Sequence, residues 1–555
     1  MKKILRLFAL TLSLAAASAC FNLDEEWYSE VTPDTFFQSK EDIYSVLYRP
    51  FTHAYWYEGI DRWYLQEYTA DQMVQPQRGN DWYDGGLYFR MHYHTWTEDD
   101  NTIWQAWRGT GMGISLTTEC QRDLQALDYK KYGLTDKDKV FHQNQLNTLI
   151  AYFYLRALDY FGAFPIMEDP LKEIEYRSTD KKVYAKVESM LLDALETTPL
   201  ATEDDPKMIG MSRGTAATLL ARLYFNAEAY IGEDHFADCA TLCQDIIDGK
   251  YGYYKLGTSW KDTHSLTNKD SKAVIWAHPS QMNYIENNWW FKYTHHKNMV
   301  AWFGIDNVNA YNGHGLTPSL KPDGTPYTGY HLGSTYSKYN DSDLRKRQYR
   351  YNGGTDYEGM FLVGQQETSD HSVVRGNKEY NGKPLVFVDY IARMSEKTDA
   401  QSASDLRSTI ADGEENSCIR PVPIPVASEN KYRWASYKVV LRLEEVYYML
   451  AECKMRAGKL EEAAGLINQV RSRAFAGGVD PDPVTKDNLD KWRMLDEWGI
   501  EFLCEGRRRT DLIRWGVFTT EPWWDHEPSN DASRNRFPVP ARAISGNNNL
   551  QLPPQ

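Results

Sequence analysis

The chain of 555 residues contains 42% hydrophobic and 25% charged residues, which is typical of globular proteins and excludes a wholly disordered or fibrous chain. Its 62 Lys and Arg residues against 77 Asp and Glu residues leave a net charge of −15. No nucleic acid is therefore expected as a partner, because phosphate binding needs a surplus of basic residues. Trp, Tyr and Phe make up 14% of the sequence, more than a hydrophobic core alone is expected to hold.

The first 19 residues have the pattern of an export signal. Basic residues within 1–6 precede an apolar stretch over 7–17, which is too short to span a bilayer. Small residues then lead to Cys20, as in bacterial lipoproteins, where such a cysteine is acylated and becomes the mature N-terminus. We therefore predict a signal peptide over 1–19 and a lipid anchor on Cys20. Ordinary signal cleavage beside an incidental cysteine is the alternative.

The other cysteines show neither a C-x-x-C pair nor a histidine at zinc spacing, so they predict no metal site. Cys239 and Cys243 are four residues apart in a predicted helix, which places both on one face and favours buried thiols. No cofactor is expected, although a structural Ca²⁺ ion is compatible with the many oxygen ligands in the loops.

Helical periodicity predicts consecutive helices that fall into pairs. They cover residues 141–161, 181–196, 212–229, 235–249, 441–457 and 460–473. Each pair combines Ala at close contact points with Leu or Tyr beside them and a short turn, a pattern that resembles tetratricopeptide repeats. Generic helix hairpins are the alternative. We predict a mostly α fold in which tetratricopeptide-like pairs form a right-handed superhelical scaffold.

Two irregular, aromatic-rich stretches interrupt this scaffold, at 56–107 and 251–425. Gly, Asn and Asp mark them as loops and short strands, and long loops on a rigid scaffold commonly carry function. The predicted organisation is therefore an N-terminal helical part over 20–250, a loop-rich ligand-binding insertion over 251–430 and a C-terminal helical part over 431–555. We expect these parts to form one compact unit.

Two clusters in these stretches suit the binding of a sugar. A flat aromatic ring covers the C–H face of a sugar, while short polar side chains bond its hydroxyl rim. The first cluster contains Arg78, Asn80, Asp81, Trp82, Tyr83 and Trp96. The second contains Tyr284, Trp289, Trp290, Trp302 and Asn307. For each ring, pinning a loop to the scaffold is the alternative role.

The sequence contains no recognisable catalytic machinery, since no G-x-S-x-G, H-E-x-x-H or phosphate-binding P-loop motif occurs. His92 and His94 could share a strand face, but no further metal ligand stands at a suitable spacing. The acidic run at 98–100 would suit a glycosidase only at a fixed carboxyl separation, which spacing in the sequence does not specify. We therefore predict no catalytic residue, no metal site and no enzyme.

Carboxylates and arginines are closely spaced in and before the segment EGRRRTDLIRWG. Three glutamates recur every four residues and so share a helix face: Glu497, Glu501 and Glu505. Asp511 stands three or four residues from Arg507, Arg508 and Arg514. These spacings predict ion pairs within one helix rather than acid–base catalysis.

Six segments, taken in chain order, carry a family resemblance. They are FNLDEEWYSEVTPDTFFQS, LRALDYFGAFPIMED, SRGTAATLLARLYF, RLEEVYYMLAECKMRAGKLEEAAGLINQVRSRA, DEWGIEFLCEGRRRTDLIRWG and FPVPARAISGNNNL. Taken in this order, they resemble the SusD/RagB family of outer-membrane nutrient-binding lipoproteins, and the resemblance extends over nearly the whole mature chain.

The resemblance implies an all-α, non-enzymatic protein that is anchored in outer-membrane lipid and faces the exterior. It also implies a partner, a TonB-dependent, SusC-like transporter. We therefore expect a cell-surface lipoprotein that binds an oligo- or polysaccharide and delivers it to this transporter. One alternative is a peptide-binding importer subunit, whose affinity for oligopeptides would survive Trp289→Ala and Trp290→Ala. A glycan-degrading enzyme is less favoured.

Overall fold

The computed structural model describes residues 33–169, 172, 176–281, 289–300, 309–368, 371–429 and 431–551. The predicted signal peptide and Cys20 lie outside these residues, as do Tyr284, Trp302 and Asn307. Only the backbone of Trp289 is described.

Helices dominate the regular structure, which confirms the mostly α prediction. They are α1 Pro33–Phe36, α2 Lys40–Tyr57, α3 Ile60–Glu67, α4 Leu87–His92, α5 Asn101–Ala126, α6 Asp136–Phe161, α7 Asp180–Thr197, α8 Arg213–Phe225, α9 Ala227–Ile231, α10 Phe236–Ile247, α11 Trp289–Thr294, α12 Thr335–Lys338, α13 Leu443–Arg456, α14 Leu460–Arg471, α15 Lys491–Glu501, α16 Arg508–Arg514 and α17 Ala541–Gly546. Within the described residues, none of these helices combines the length and the apolar character that a bilayer crossing requires.

Local capping explains the bounds of the long helix α6. The Thr135 hydroxyl accepts a hydrogen bond from the N–H of Asp138 at 3.2 Å, and the Asp138 carboxylate accepts one from the N–H of Thr135 at 2.8 Å. This reciprocal capping box starts the helix. Gly162, with φ of 67°, ends it. The helix therefore begins earlier than predicted but ends at the predicted Phe161.

The helices pack side by side as a continuous layer. The predicted helices at 181–196, 235–249, 441–457 and 460–473 are observed as α7, α10, α13 and α14, whereas 212–229 is divided into α8 and α9. Helix α6 packs against α5 and α7, and α10 packs against α8 and α13. The C-terminal pair α13–α14 therefore extends the layer that the N-terminal helices form.

Helices α5 and α6 approach closely at Gly113. A Cβ atom at this position would lie 2.5 Å from Cε1 of Phe153, so the ring would have to move. We expect Gly113→Ala to lower the free energy of unfolding by about 1–3 kcal/mol, as measured by urea denaturation. At Gly111, a Cβ atom would meet no heavy atom of the described residues within 4 Å. Gly111→Ala should therefore raise the stability by up to about 1 kcal/mol, and equal effects of the two substitutions would contradict the close approach.

The strands are short and pair two by two. They are β1 Met73–Val74, β2 Val274–His278, β3 Gly315–Leu316, β4 Arg350–Gly353, β5 Asp356–Glu358, β6 Phe361–Leu362, β7 Gly364–Gln365, β8 Val386–Phe387, β9 Arg420–Pro421 and β10 Lys438–Arg442. The antiparallel pairs are β1–β3, β2–β10, β4–β5, β6–β9 and β7–β8. Strand β10 runs directly into α13, so the β2–β10 pair ties the irregular region to the C-terminal helices.

The prediction of one continuous helix through the C-terminal charged segment is wrong. Helix α15 ends at Glu501 and α16 begins at Arg508, because Cys504 and Gly506 between them adopt positive φ angles of 71° and 70°. Glu505 therefore leaves the face of α15, and its carboxylate accepts hydrogen bonds from Arg442 at 2.7 and 3.0 Å.

Two of the three predicted pairs with Asp511 are confirmed. Arg507 lies 3.0 Å and Arg514 lies 2.8 Å from the Asp511 carboxylate. Arg508 instead pairs with Asp71 at 2.7 Å, which connects α16 to the segment that precedes β1. A long-range partner thus replaces the local one.

The cysteines in the described residues are buried free thiols. Cys239 and Cys243 share one face of α10 with their sulfur atoms 3.9 Å apart, which confirms the prediction for this pair. Burial raises the pKa of the Cys239 thiol well above its ordinary value, so this thiol is held in its unreactive, protonated form.

Candidate functional site

The pairing of β1 with β3 brings two distant loops together. The loop at 75–86 follows β1, and residues 309–314 precede β3. Since the strands are antiparallel, with Met73 opposite Leu316, the segment after one strand lies beside the segment before the other. The loop at 75–86, which carries most of the first predicted cluster, therefore lies next to residues 309–314, which follow the second predicted cluster in the sequence.

Arg78 holds these loops in place from inside the protein. Its side chain is buried and donates hydrogen bonds to the carbonyl oxygens of Asn312 at 2.8 Å, Gly313 at 3.0 Å and Glu414 at 2.8 Å. A guanidinium engaged in this way has no face left for a ligand. The predicted ligand contact of Arg78 is therefore replaced by a positioning role.

The loop beyond Arg78 turns sharply and carries its aromatic side chains outward. Trp82 has φ of 67° and Gly85 has φ of 63°, both in the left-handed region. Asn80, Asp81 and Tyr83 are exposed, with 52% of Tyr83 accessible, and Trp82 is half-buried. These four predicted site residues therefore lie together at the surface.

The exposed rings continue into residues from the insertion. Trp82 donates a hydrogen bond from Nε1 to the carbonyl oxygen of Tyr311 at 3.1 Å, and its ring lies 5.8 Å from that of Tyr293. The rings of Tyr293 and Tyr311 are 5.4 Å apart, and 43% of Tyr311 is exposed. We call Trp82, Tyr83, Tyr293 and Tyr311 the aromatic patch.

Tyr293 and Tyr311 were not among the predicted site residues. Tyr293 lies on α11, four residues after Trp289, and Tyr311 precedes the pair Asn312-Gly313. The same mixture of rings with Asn and Gly singled out the first cluster, so this local signal could have found Tyr311. Nothing local indicates that Tyr293 approaches Trp82.

Two predicted binding tryptophans lie in the interior, which corrects their assignment. Trp96 is 3% exposed and packs against Phe537, with ring centroids 4.9 Å apart. Trp290 is 2% exposed, donates a hydrogen bond to the carbonyl oxygen of Pro421 at 3.0 Å and packs edge-on against Trp63. Both rings are buried, so neither is available to a ligand bound at the surface beside Trp82 and Tyr83.

A buried carboxylate fixes a further loop beside the patch. Glu415 accepts hydrogen bonds from the backbone N–H groups of Asn377 at 2.9 Å and Tyr380 at 2.7 Å, and from His296 at 3.1 Å. Burial alone would raise its pKa, but these hydrogen bonds outweigh burial and lower the pKa to about 2. The loop so held carries Lys378, whose ammonium group pairs with Asp81.

We expect Glu415→Gln to lower the free energy of unfolding by about 2–3 kcal/mol at pH 7, because charge-assisted hydrogen bonds are lost. Because folding lowers the pKa of Glu415, its carboxylate stabilises the fold fully at pH values above about 4.5, the ordinary pKa of a glutamate. This stabilisation is lost as the pH falls toward 2. Urea denaturation should therefore show that the free energies of unfolding of Glu415→Gln and of the wild type become more similar as the pH falls over that range. Exposed Glu461→Gln is the control, and an equal loss there would contradict the role of Glu415.

A comparison with known protein families shows to which family the chain belongs. The model of the SusD family matches residues 250–551, more than half of the sequence. The chain belongs to the SusD family. Starch-binding protein SusD of Bacteroides thetaiotaomicron is 24% identical over 449 residues, which cover 75% of this chain and 73% of that protein.

Solved structures of SusD-like proteins share the fold over nearly the full length. A SusD superfamily protein from Parabacteroides distasonis aligns with a TM-score of 0.64 at 14% identity, covering 94% of this chain and 99% of that one. Surface glycan-binding protein A from Bacteroides uniformis aligns with a TM-score of 0.64 at 15% identity, covering 92% and 99%. The SusD-family fold is thus preserved although the sequences have diverged widely.

Proposed function

We propose that this SusD-family protein is a cell-surface lipoprotein that binds an oligo- or polysaccharide through the aromatic patch. In this proposal it delivers the glycan to a TonB-dependent outer-membrane transporter and transforms nothing. The relatives support a glycan as ligand, since one is named starch-binding and another surface glycan-binding.

The exposure of the patch on a rigid frame is the observation that carries the proposal. Tyr83 and Tyr311 keep about half of their surface open to solvent beside the short polar side chains of Asn80 and Asp81. Such rings cover the C–H face of a sugar, and the amide and carboxylate bond its hydroxyls. Arg78 and Glu415 hold the supporting loops from inside, so little conformational freedom is lost on binding.

Affinity electrophoresis in gels containing starch, xylan, pectin or dextran tests this proposal. We expect retardation by at least one polysaccharide, and Tyr83→Ala combined with Tyr311→Ala should weaken binding tenfold or more. Tyr253→Ala is the matched control, since this tyrosine is also exposed, at 38%, but contacts Glu203 rather than the patch. Binding of oligopeptides only, or equal binding by all variants, would contradict the proposal.

The anchor and the partner need separate measurements. Labelled palmitate should enter the wild-type protein but not Cys20→Ser, and the transporter should co-purify with the membrane-anchored protein. Incubation with the bound polysaccharide should release no reducing sugar. Among the described residues, no three His, Cys, Asp or Glu side chains are arranged to hold a metal ion. Binding that survives EDTA would support the proposed absence of a cofactor and of a required Ca²⁺ ion.

A further inference from the structure

A cavity of about 130 Å³ lies inside the helical frame, where α6 and α8 meet β10 and the turn between α15 and α16. No ring of the aromatic patch lines it. An engineered protein cavity of about 150 Å³ binds benzene, so this one has the size of a single-ring molecule.

One wall of this cavity is aromatic. Trp63, Phe225 and Trp290 line it, and the rings of Trp63 and Trp290 meet edge-on with centroids 5.0 Å apart. Leu155 and Ile424 add further apolar surface. A wall of this kind covers the flat face of a ring, whether sugar or aromatic.

Arg156 of α6 also lines this cavity, and not all of its N–H groups donate hydrogen bonds within the protein. Its Nη2 donates to the hydroxyl of Tyr160. Among the described residues, its buried Nε has no hydrogen-bond partner and no carboxylate lies at ion-pair distance from the guanidinium. A guanidinium carries five N–H donors in a planar fork that matches a carboxylate.

A second cation lines the cavity near Arg156. Lys438 donates a hydrogen bond to the carbonyl oxygen of Glu58. Burial lowers the pKa of Lys438 to about 8, Glu58 counteracts this, and the charges of Arg62 and Arg156 lower the pKa further. Two cationic side chains therefore act on each other across this end of the cavity.

Among the described residues, four carboxylates line the cavity, those of Glu58, Asp159, Glu445 and Glu505. Most of them have partners of their own: Glu445 with Arg222 and Arg507, Glu505 with Arg442, and Asp159 with Thr510 and Tyr230. Glu58 is the lining carboxylate whose charge acts on both Arg156 and Lys438. Burial lowers the pKa of Arg156, but Tyr160, Glu58 and Asp159 together outweigh burial and raise it, so the guanidinium stays charged.

We propose that the cavity binds a small, single-ring carboxylate, such as a free uronic acid, with its carboxylate on Arg156 and its ring against the aromatic wall. Hydrogen bonds between a guanidinium and a carboxylate are charge-assisted and about twice as strong as those between neutral groups. This site is separate from the surface patch and does not depend on the proposed polysaccharide binding.

Isothermal titration of the mature protein with glucuronate tests the proposal, with glucose as a probe of the same ring that lacks the carboxylate. We expect glucuronate to bind and to raise the melting temperature, and glucose to bind at least tenfold more weakly. Arg156→Gln should weaken glucuronate binding tenfold or more. Arg108→Gln, on the exposed face of α5, should leave it unchanged.

Further variants keep the test decisive if Arg156→Gln fails to fold. Arg156→Lys keeps the charge but loses the planar fork of donors. Its affinity for glucuronate should therefore lie between those of the wild type and of Arg156→Gln. The patch variants Tyr83→Ala and Tyr311→Ala should bind glucuronate as the wild type does, whatever happens to polysaccharide binding. No binding of glucuronate at 10 mM, equal binding of glucose, or loss of glucuronate binding in the patch variants would overturn the proposal.

Discussion

Arg514→Met is expected to lower the free energy of unfolding by about 3–5 kcal/mol, because it removes a buried charge from a network of buried carboxylates. The guanidinium donates hydrogen bonds to Glu452 at 2.9 and 3.0 Å and to Asp511 at 2.8 Å, and all three side chains are buried. It also lies 4.0 Å from the centre of the Phe225 ring. Methionine fills part of the volume but leaves two carboxylates without this partner. Urea denaturation followed by circular dichroism measures the loss.

Two comparisons separate the charge effect from a general effect of substitution. Arg122→Met removes a largely exposed arginine and should change the stability by no more than about 0.5 kcal/mol. Adding Glu452→Gln to Arg514→Met should recover part of the loss, because one of the two buried charges is then also removed. A single-variant loss below about 1 kcal/mol, or no recovery in the double variant, would contradict the role of this network.

A fall in pH from 6.5 to 5 is expected to destabilise the protein steeply through a group of buried histidines. His92, His94 and His526 lie together, with ring centroids of His94 and His526 4.4 Å apart. Burial lowers the pKa of each to about 3, and for each of them a neighbouring histidine lowers the pKa further. In the described residues, one ring nitrogen of each has no hydrogen-bond partner, so a proton added there would be buried without an acceptor.

The sign of the effect follows from where the protons bind. A histidine in the unfolded chain has a pKa near 6.5. Below that pH the unfolded chain therefore binds protons that the folded protein does not bind. The stability from these groups is therefore complete above pH 6.5 and falls by about 1.4 kcal/mol per histidine for each pH unit below it. Three histidines would remove about 6 kcal/mol by pH 5, which is comparable with the whole stability of a typical domain.

Urea denaturation at a series of pH values measures this slope. The three histidines contribute to the slope of the free energy of unfolding against pH between 6.5 and 5. His526→Asn should remove about one third of this contribution. His371→Asn replaces a histidine whose side chain is 80% exposed and should leave the slope unchanged. A stability that does not change between pH 6.5 and 5 would contradict the prediction.

Much of the helical frame could be predicted from local patterns. Helix α6 ends where Gly162 follows Phe161, and the pair α13–α14 turns at Gly458, because periodicity and capping depend on residues within about four positions of each other. The same local reasoning failed between Glu501 and Arg508, where Cys504 adopts a positive φ that a non-glycine residue rarely takes. The turn is held by contacts with distant parts of the chain, such as that of Gly506 with Glu67.

The candidate site was predicted only in part. The mixture of rings with Asn, Asp and Gly identified the loop that exposes Trp82 and Tyr83. The same mixture also selected Trp96 and Trp290, which are buried. Whether a ring is covered depends on partners far away in sequence, and Phe537 lies 441 positions after Trp96. Composition alone therefore cannot separate an exposed tryptophan from a buried one.

The sequence by itself determined the family, the mostly α frame and the aromatic loop, because these depend on motifs and periodicities contained within short segments. The tertiary structure decided which rings are exposed, that Arg78 positions loops instead of meeting a ligand, and that Arg508 pairs with Asp71 rather than with Asp511. These outcomes depend on contacts between residues hundreds of positions apart, and such contacts exist only once the chain has folded.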